Sequence, residues 1–461
     1  MKPAFATVII TAVISCGIGA AQTDVGVKQE KAPAFWAWAE KPPMGWNSWD
    51  CFATTVTEAQ TKAQADYMAT HLARYGWQYV TVDIQWYEPE AQSFDYRKDA
   101  KLVMDEWGRL LPAPNRFPSA AGTPGFKPLA AYIHGKGLKF GVHLLRGIPR
   151  QAVEQNTPVK GTPYHAADIA DKTSACHWNS DMYGVDMTKT GAQEYYNSVF
   201  ALFAEWGVDF VKVDDISRPY HQLEVEAIRK AIDAARRPMV LSLSPGETPL
   251  TAGEHVQMHA NMWRVSDDFW DKWPTLLEQF ERLRKWTEFR APGHFPDADM
   301  LPLGVIDMGK RSTRFIGAEQ VTLLTLWSIA RSPLIFGGDL TKLDESTLSL
   351  ITNEEVIAVD QNSSGNHQLF ARDGLVAWVA DVPRSKARYV AIFNTADWPM
   401  PPAHGPGSLK IAVKFSDLGF NGSCRVRDLW RKQELGKFKG EFAPQINWHG
   451  AGLYRISPIR K

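Results

Sequence analysis

Two stretches of the chain end in adjacent carboxylates with a cation just upstream. Residues 209–215 read Asp-Phe-Val-Lys-Val-Asp-Asp and residues 262–268 read Met-Trp-Arg-Val-Ser-Asp-Asp, so Lys212 precedes Asp214 by two positions and Arg264 precedes Asp268 by four. Side chains alternate along a strand, which puts Lys212 and Asp214 on one face. There the ammonium favours the ionised carboxylate. An ionised carboxylate can attack an acetal carbon, and a second carboxyl can protonate the departing oxygen. That pair is the chemistry of glycosidic-bond cleavage. A third stretch, Tyr-Val-Thr-Val-Asp, ends in Asp83. One acid at a strand end is often only the cap of the next helix, but three at the same topological position argue for a shared task. Arg264 is placed to grip a sugar hydroxyl; as a mere surface ion pair it would contribute about 0–1 kcal/mol. His143 ends a further apolar stretch, 138–143, where it either lines a pocket or sits satisfied in the core. The histidines form no HxH or HExxH spacing, and neither a GxSxG elbow nor a phosphate-binding loop occurs. No metal or organic cofactor is expected.

Those acids need a frame that presents strand ends together. Helical periodicity over residues 57–75, 126–134, 195–206, 224–235 and 321–330 alternates with short apolar runs ending near Asn47, Asp83, His143, Asp214, Ser244, Ser266, Leu301 and Gly338. Eight alternating units over residues 41–361 predict a (β/α)8 barrel, whose active-site face is the C-terminal end of its strands. From residue 362 to 461 only short strands separated by turn residues remain, at 368–371, 375–379, 389–393, 410–413 and 452–456. This predicts a C-terminal antiparallel β-sandwich.

The chain has 461 residues, is 44% hydrophobic and carries a formal net charge of +0. That balance offers no basic face for nucleic acid or for an anionic membrane surface. Its 18 Trp supply flat apolar faces on which sugar rings can stack. Residues 1–22 read as a secretory signal, with Lys2, an apolar run over 4–14 and a small-residue exit at Gly19-Ala20-Ala21. The run is too short to span a bilayer. Val13-Ile14-Ser15-Cys16 also resembles a lipoprotein cleavage box, with Cys16 as the lipidated residue. Both readings place the mature protein outside the cytoplasm, secreted, periplasmic or lipid-anchored. Residues 23–40 read as a polar linker. Cys51, Cys176 and Cys424 are widely spaced and expected as free thiols.

Taken in order, PPMGWNSW (42–49), YVTVD (79–83), KGLKFG (136–141), WGVDFVKVD (206–214), the Trp-Arg-acid stretch (263–268), PDADML (296–301) and SPLIFGGDL (332–340) resemble glycoside hydrolase family 27, the α-galactosidase and α-N-acetylgalactosaminidase family. The resemblance implies a retaining, exo-acting hydrolase of terminal α-linked galactose-like sugars on an oligosaccharide or glycoconjugate. It makes Asp214 the nucleophile and Asp268 the acid/base, with Asp267 as its neighbouring rival. Trp49, Asp83, Lys212 and Arg264 fall at sugar-contacting positions. Three departures bear on the sugar. Most of the family has Asp-Asp after the second strand to bind the 4- and 6-hydroxyls; here the pair is Asp83-Ile84. An apolar Ile84 facing a 6-hydroxyl leaves it unpaired at a cost of roughly 1–3 kcal/mol. Ser244-Pro245-Gly246 follows the N-acetylgalactosaminidase pattern at the 2-position more closely than the galactosidase Glu, and His143 replaces the usual Tyr. The rival specificities are therefore α-N-acetylgalactosaminidase and β-L-arabinopyranosidase. A non-catalytic carbohydrate-binding protein is the alternative from a different class.

Overall fold

The computed structural model describes residues 32–459 except 123 and 397–406. The expected signal segment and Cys16 lie outside the described residues. The first described element is unexpected: Ala34–Ala39, within the predicted linker, forms a 3₁₀ helix. Its aromatic residues have partners inside the domain, which is why it is ordered. Trp36 Nε1 donates to the Gln257 carbonyl at 2.9 Å, and the Arg229 guanidinium lies 4.6 Å from the Phe35 ring. Ala39 joins Tyr79, Phe210, Val240 and Met262 in a cluster at the N-terminal ends of the barrel strands.

The barrel strands are β1 (Met44–Asn47), β2 (Tyr79–Val82), β3 (Lys139–Leu145), β4 (Phe210–Asp214), β5 (Val240–Leu243), β6 (Met262–Arg264), β7 (Phe295–Asp297) and β8 (Leu334–Phe336). They pair in parallel in the spatial order β7-β6-β5-β4-β3-β2-β1-β8. Helices α1 (Glu58–His71), α2 (Lys127–His134), α3 (Ala192–Trp206), α4 (Gln222–Ala234), α5 (Gly253–Gln257), α6 (Trp273–Lys285) and α7 (Gly317–Ala330) connect them. The seventh strand is shorter than its motif suggested. Asp299 takes a left-handed φ of 82° and ends it. The chain then returns to the sheet at Leu301, which accepts from Gly337 N at 3.0 Å and donates to the Ile335 carbonyl at 2.7 Å. That bridge closes the barrel between β7 and β8.

Local chemistry explains the boundaries. Thr57 caps α1 through a capping box with Gln60, each side chain accepting from the other's backbone N–H. Gly207, at φ 85°, terminates α3 in a conformation that penalises any residue with a Cβ, and so delivers the chain into β4. The strands are short and buried on both faces, so they read as apolar runs rather than alternations.

The C-terminal sheet has the order β9-β10-β11-β14-β12-β13, comprising Ser364–Arg372, Leu375–Asp381, Arg388–Asn394, Ala451–Pro458, Ser423–Asp428 and Gln433–Lys439 for β9, β10, β11, β14, β12 and β13. Along β10 the residues divide by strict alternation. Val376, Trp378 and Ala380 enter the core shared with the barrel, whereas Ala377 and Val379 enter a separate cluster on the far face. Short ribbons, Leu409–Lys410 with Gln445–Ile446 and Val413–Lys414 with Glu441–Phe442, belong to that far face. Strands β12 and β13 were not expected from sequence, because their mixture of Arg, Lys, Glu and Gln resembles a solvated loop. Among the described residues Cys51, Cys176 and Cys424 are free and buried, and no helix is long and apolar enough to cross a membrane.

Candidate active site

A cavity of about 490 Å³ opens at the C-terminal ends of the barrel strands, the face on which such barrels carry their chemistry. Trp49 and Asp50 reach it from the end of β1, Asp83 and Ile84 from β2, Lys212 and Asp214 from β4, Arg264 and Asp268 from β6, and Asp299 from beyond β7.

Asp214 is the most constrained acid in the wall. His143 Nε2 donates to its Oδ2 at 2.6 Å, and the Ser244 hydroxyl donates to Oδ1. Burial works against the charge, but the Lys212 ammonium and His143 outweigh it and hold the carboxyl well below the usual range. Lys212 itself bonds to Asp83 rather than to Asp214, with Nζ 3.0 Å from Asp83 Oδ2. Despite burial, the surrounding carboxylates of Asp83, Asp214 and Asp299 keep that lysine protonated. Asp83 also accepts from Asn47 Nδ2 at 2.7 Å and from Ile84 N at 2.8 Å. Its neighbours leave it ionised and pointing inward. The second acid of the β4 terminus behaves differently: Asp215, at φ 58°, turns to Arg146, whose guanidinium lies 2.7 Å away.

The same division occurs after β6. Asp267 pairs at 2.6 Å with Arg218, both side chains about three-fifths exposed at 62% and 60%. Asp268 instead meets Arg264 at 3.3 Å. That arginine is no surface partner, since only 2% of its side chain is exposed, and it also holds Asp299 at 2.9 Å. Asp299 accepts in addition from Phe269 N at 2.8 Å, in the same loop as Asp268. Burial nevertheless keeps its carboxyl above the usual range, Arg264 notwithstanding. Of the two rivals, Asp268 is the acid tied to the buried machinery.

Trp49, Asp83, Ile84, Lys212, Asp214, Arg264 and Asp268 all line the cavity, as the sequence suggested. His143 and Ser244 do not belong to this wall. Both are buried and bond to Asp214 from behind, so they orient an acid rather than meet a ligand. At the fifth strand end it is Pro245 and Gly246 that face the space. Sequence reasoning passed over Asp50, Asp299, Phe94, Tyr96, Trp178 and Trp270, which also line the cavity. Asp50 directly follows the PPMGWNSW motif and Asp299 lies within PDADML, and that adjacency was the available signal. The aromatic residues come from long loops with no periodic pattern.

Asp83, His143 and Asp214 bring ligand atoms within 4.8 Å of one another, a spacing compatible with a metal ion. The Lys212 ammonium already lies 3.0 Å from one of those oxygens. A divalent cation added there would meet this buried positive charge across a low-dielectric gap. The residues present fit an ammonium-stabilised acid pair better than a metal site.

Comparison with known proteins agrees with this geometry. The family described as Alpha galactosidase A matches residues 41–190 and 186–362, and the Alpha galactosidase C-terminal beta sandwich domain matches residues 372–456. An α-galactosidase of Cyamopsis tetragonoloba is 28% identical across 91% of this chain and 87% of its own. The α-N-acetylgalactosaminidase of Gallus gallus is 25% identical across 91% of this chain and 94% of its own. The crystal structure of a β-L-arabinopyranosidase from Geobacillus stearothermophilus superposes with a TM-score of 0.89, at 51% identity, covering 92% of this chain and 98% of that one.

Proposed function

The chain belongs to glycoside hydrolase family 27, and from that premise we propose that it is a retaining, exo-acting glycosidase that releases terminal β-L-arabinopyranose. The single observation that carries this reading is Ile84, buried in the cavity wall next to Asp83. β-L-Arabinopyranose has the ring of α-D-galactose without the sixth carbon and its hydroxyl. A hexose would press that hydroxyl against Ile84 with no polar partner; the pentose places nothing there. The relative at 51% identity is a β-L-arabinopyranosidase, which supports the same choice.

In the proposed mechanism Asp214, ionised and aligned by His143 and Ser244, attacks the anomeric carbon while Asp268 gives its proton to the departing oxygen. A covalent glycosyl ester on Asp214 results. Asp268 then takes a proton from water, which attacks the same carbon and returns the nucleophile, giving net retention. Asp83 and Lys212 accept and donate to ring hydroxyls away from the reacting carbon, and Trp49 supplies an apolar face for the ring. Because Ser244 is engaged by Asp214, support for a 2-acetamido sugar is reduced to the small residues Pro245 and Gly246.

The test is hydrolysis of nitrophenyl β-L-arabinopyranoside, α-D-galactoside and α-N-acetylgalactosaminide by the wild type and by Ile84→Asp. The arabinopyranoside should give the highest kcat/KM in the wild type. The substitution should move the preference toward galactoside by about tenfold or more, in line with what a paired or unpaired hydroxyl is worth. A wild type that prefers the galactoside, with a preference that Ile84→Asp leaves unchanged, contradicts the reading.

A further inference from the structure

The residue after the nucleophile is held more firmly than its turn requires. Asp215 leaves β4 at a left-handed φ of 58°, a conformation that Asp tolerates and glycine adopts freely. Such a turn calls for a small residue, not for a buried carboxylate. Asp215 is buried all the same, and Arg146, the first residue after β3, holds it twice. The guanidinium donates from Nε to the Asp215 carbonyl and from Nη2 to its Oδ2, each at 2.7 Å. The backbone N–H of Arg146 donates at 3.0 Å to the carbonyl of Asp214 itself.

Arg146 is anchored in turn. Its Nη1 donates at 2.8 Å to Glu224 of α4, and Tyr196 of α3 donates to the other carboxylate oxygen of that glutamate. The Tyr196 hydroxyl accepts from Gly147 N at 3.1 Å, which returns the chain of bonds to the residue after Arg146. Arg146, Glu224 and Tyr196 are all buried. A planar guanidinium bonded to two carboxylates has little freedom left, and the backbone it grips has little either. Two helices and the end of β3 thus converge on the peptide bond joining Asp214 to Asp215. His143, three residues before Arg146, meanwhile holds the Asp214 carboxylate.

Resting on the retaining-glycosidase reading, we infer that Asp215 and Arg146 are positioning residues for the nucleophile, fixing the Asp214 backbone so that its carboxylate meets the anomeric carbon in bonding geometry. They act on the two covalent steps and leave recognition of the sugar alone. A misplacement of about 1 Å can cost about 10²-fold in rate. Asp215 also borders the cavity, so positioning has to be told apart from direct contact with the sugar. Asp215→Gly keeps the left-handed turn and removes the carboxylate. Asp215→Asn keeps the turn, the shape and an acceptor for Arg146. Three quantities are measured on wild type and both variants: kcat on nitrophenyl β-L-arabinopyranoside, the rate of ester formation with 2-deoxy-2-fluoro-β-L-arabinopyranosyl fluoride, and the Ki of free L-arabinose. Asp215→Gly should lower kcat and the rate of ester formation at least tenfold while Ki stays within twofold, and Asp215→Asn should recover most of that loss. A folded glycine variant with wild-type rates overturns the inference. A Ki that weakens in step with kcat overturns it by making Asp215 a direct sugar contact. An asparagine variant no better than glycine overturns it by removing Arg146 from the account, and a glycine variant that does not fold does so by giving the pair to stability. If the wild type forms no ester with the fluorosugar, the retaining mechanism itself fails and the inference falls with it.

Discussion

At the scale of single residues, two acids with different surroundings face one cavity. Asp214 has 8% of its side chain exposed and is held by His143, whereas Asp268 is 54% exposed and leans on Arg264. A buried carboxylate kept ionised by a neighbouring ammonium suits covalent attack. A more accessible acid on a loop suits proton exchange with leaving group and water. These roles separate in kinetics. Asp268→Asn should slow hydrolysis of a poor leaving group by roughly 10²–10⁴-fold, the ordinary contribution of a general acid. On a dinitrophenyl glycoside, which departs without a proton, the first step should be nearly spared. A similar loss on both substrates would remove Asp268 from the acid role. These two acids were legible in the sequence because each ends a short apolar run after a spaced cation. The roles of His143 and Ser244 were not, because the same position on a strand end can face the cavity or the back of Asp214. Only the packed structure distinguishes the two directions.

At the scale of elements, the segment joining barrel to sheet carries a buried acid. Helix α8 (Glu354–Asn362) includes Asp360, whose backbone carbonyl accepts from Arg331 Nε at 2.8 Å and whose carboxylate accepts from Gln361 Nε2 at 2.6 Å. Burial dominates there and pushes the carboxyl up to about 8, against the pull of Gln361, Arg331 and Arg290. The sign follows from linkage. The folded state holds this proton more tightly than the unfolded chain, so the associated stability is complete below the ordinary value of 3.8 and is lost as pH rises toward about 8. Asp297, raised to about 7 by burial and Asp299, acts in the same direction. Thermal stability should therefore decline across that window, and Asp360→Asn should make the decline shallower. An identical pH profile in wild type and variant would refute the assignment. Boundaries of elements were read with uneven success for a physical reason. Helix ends marked by Gly207 or by the Thr57 capping box were found within a few residues, while in β12 and β13 the apolar positions, Cys424 and Val426 on one and Leu435 and Phe438 on the other, are too few among charged residues to announce a strand.

At the scale of the whole molecule, barrel and C-terminal sheet share one core. Trp378 and Phe393 of the sheet belong to the same apolar cluster as the barrel helices, and Phe280 of α6 meets Phe393 at 4.9 Å. Trp430 Nε1 donates to Thr325 of α7 at 2.9 Å, and Arg427 bonds Glu355 of α8 at 2.8 Å. Calorimetry should accordingly show one cooperative transition; two well-separated transitions would mean the halves fold independently. The architecture was legible because eight strand–helix alternations admit few topologies, whereas the aromatic wall around the cavity was not, since Phe94, Tyr96 and Trp178 lie in irregular loops. The measurement that tests the central claim most directly is trapping of the covalent intermediate. A 2-deoxy-2-fluoro glycosyl fluoride of the preferred sugar slows turnover of the ester, and peptide mapping of the inactivated protein then locates it. The proposed mechanism predicts a single glycosyl adduct on the peptide bearing Asp214, and product released with the anomeric configuration of the substrate. An adduct on another residue, or product of inverted configuration, would contradict it.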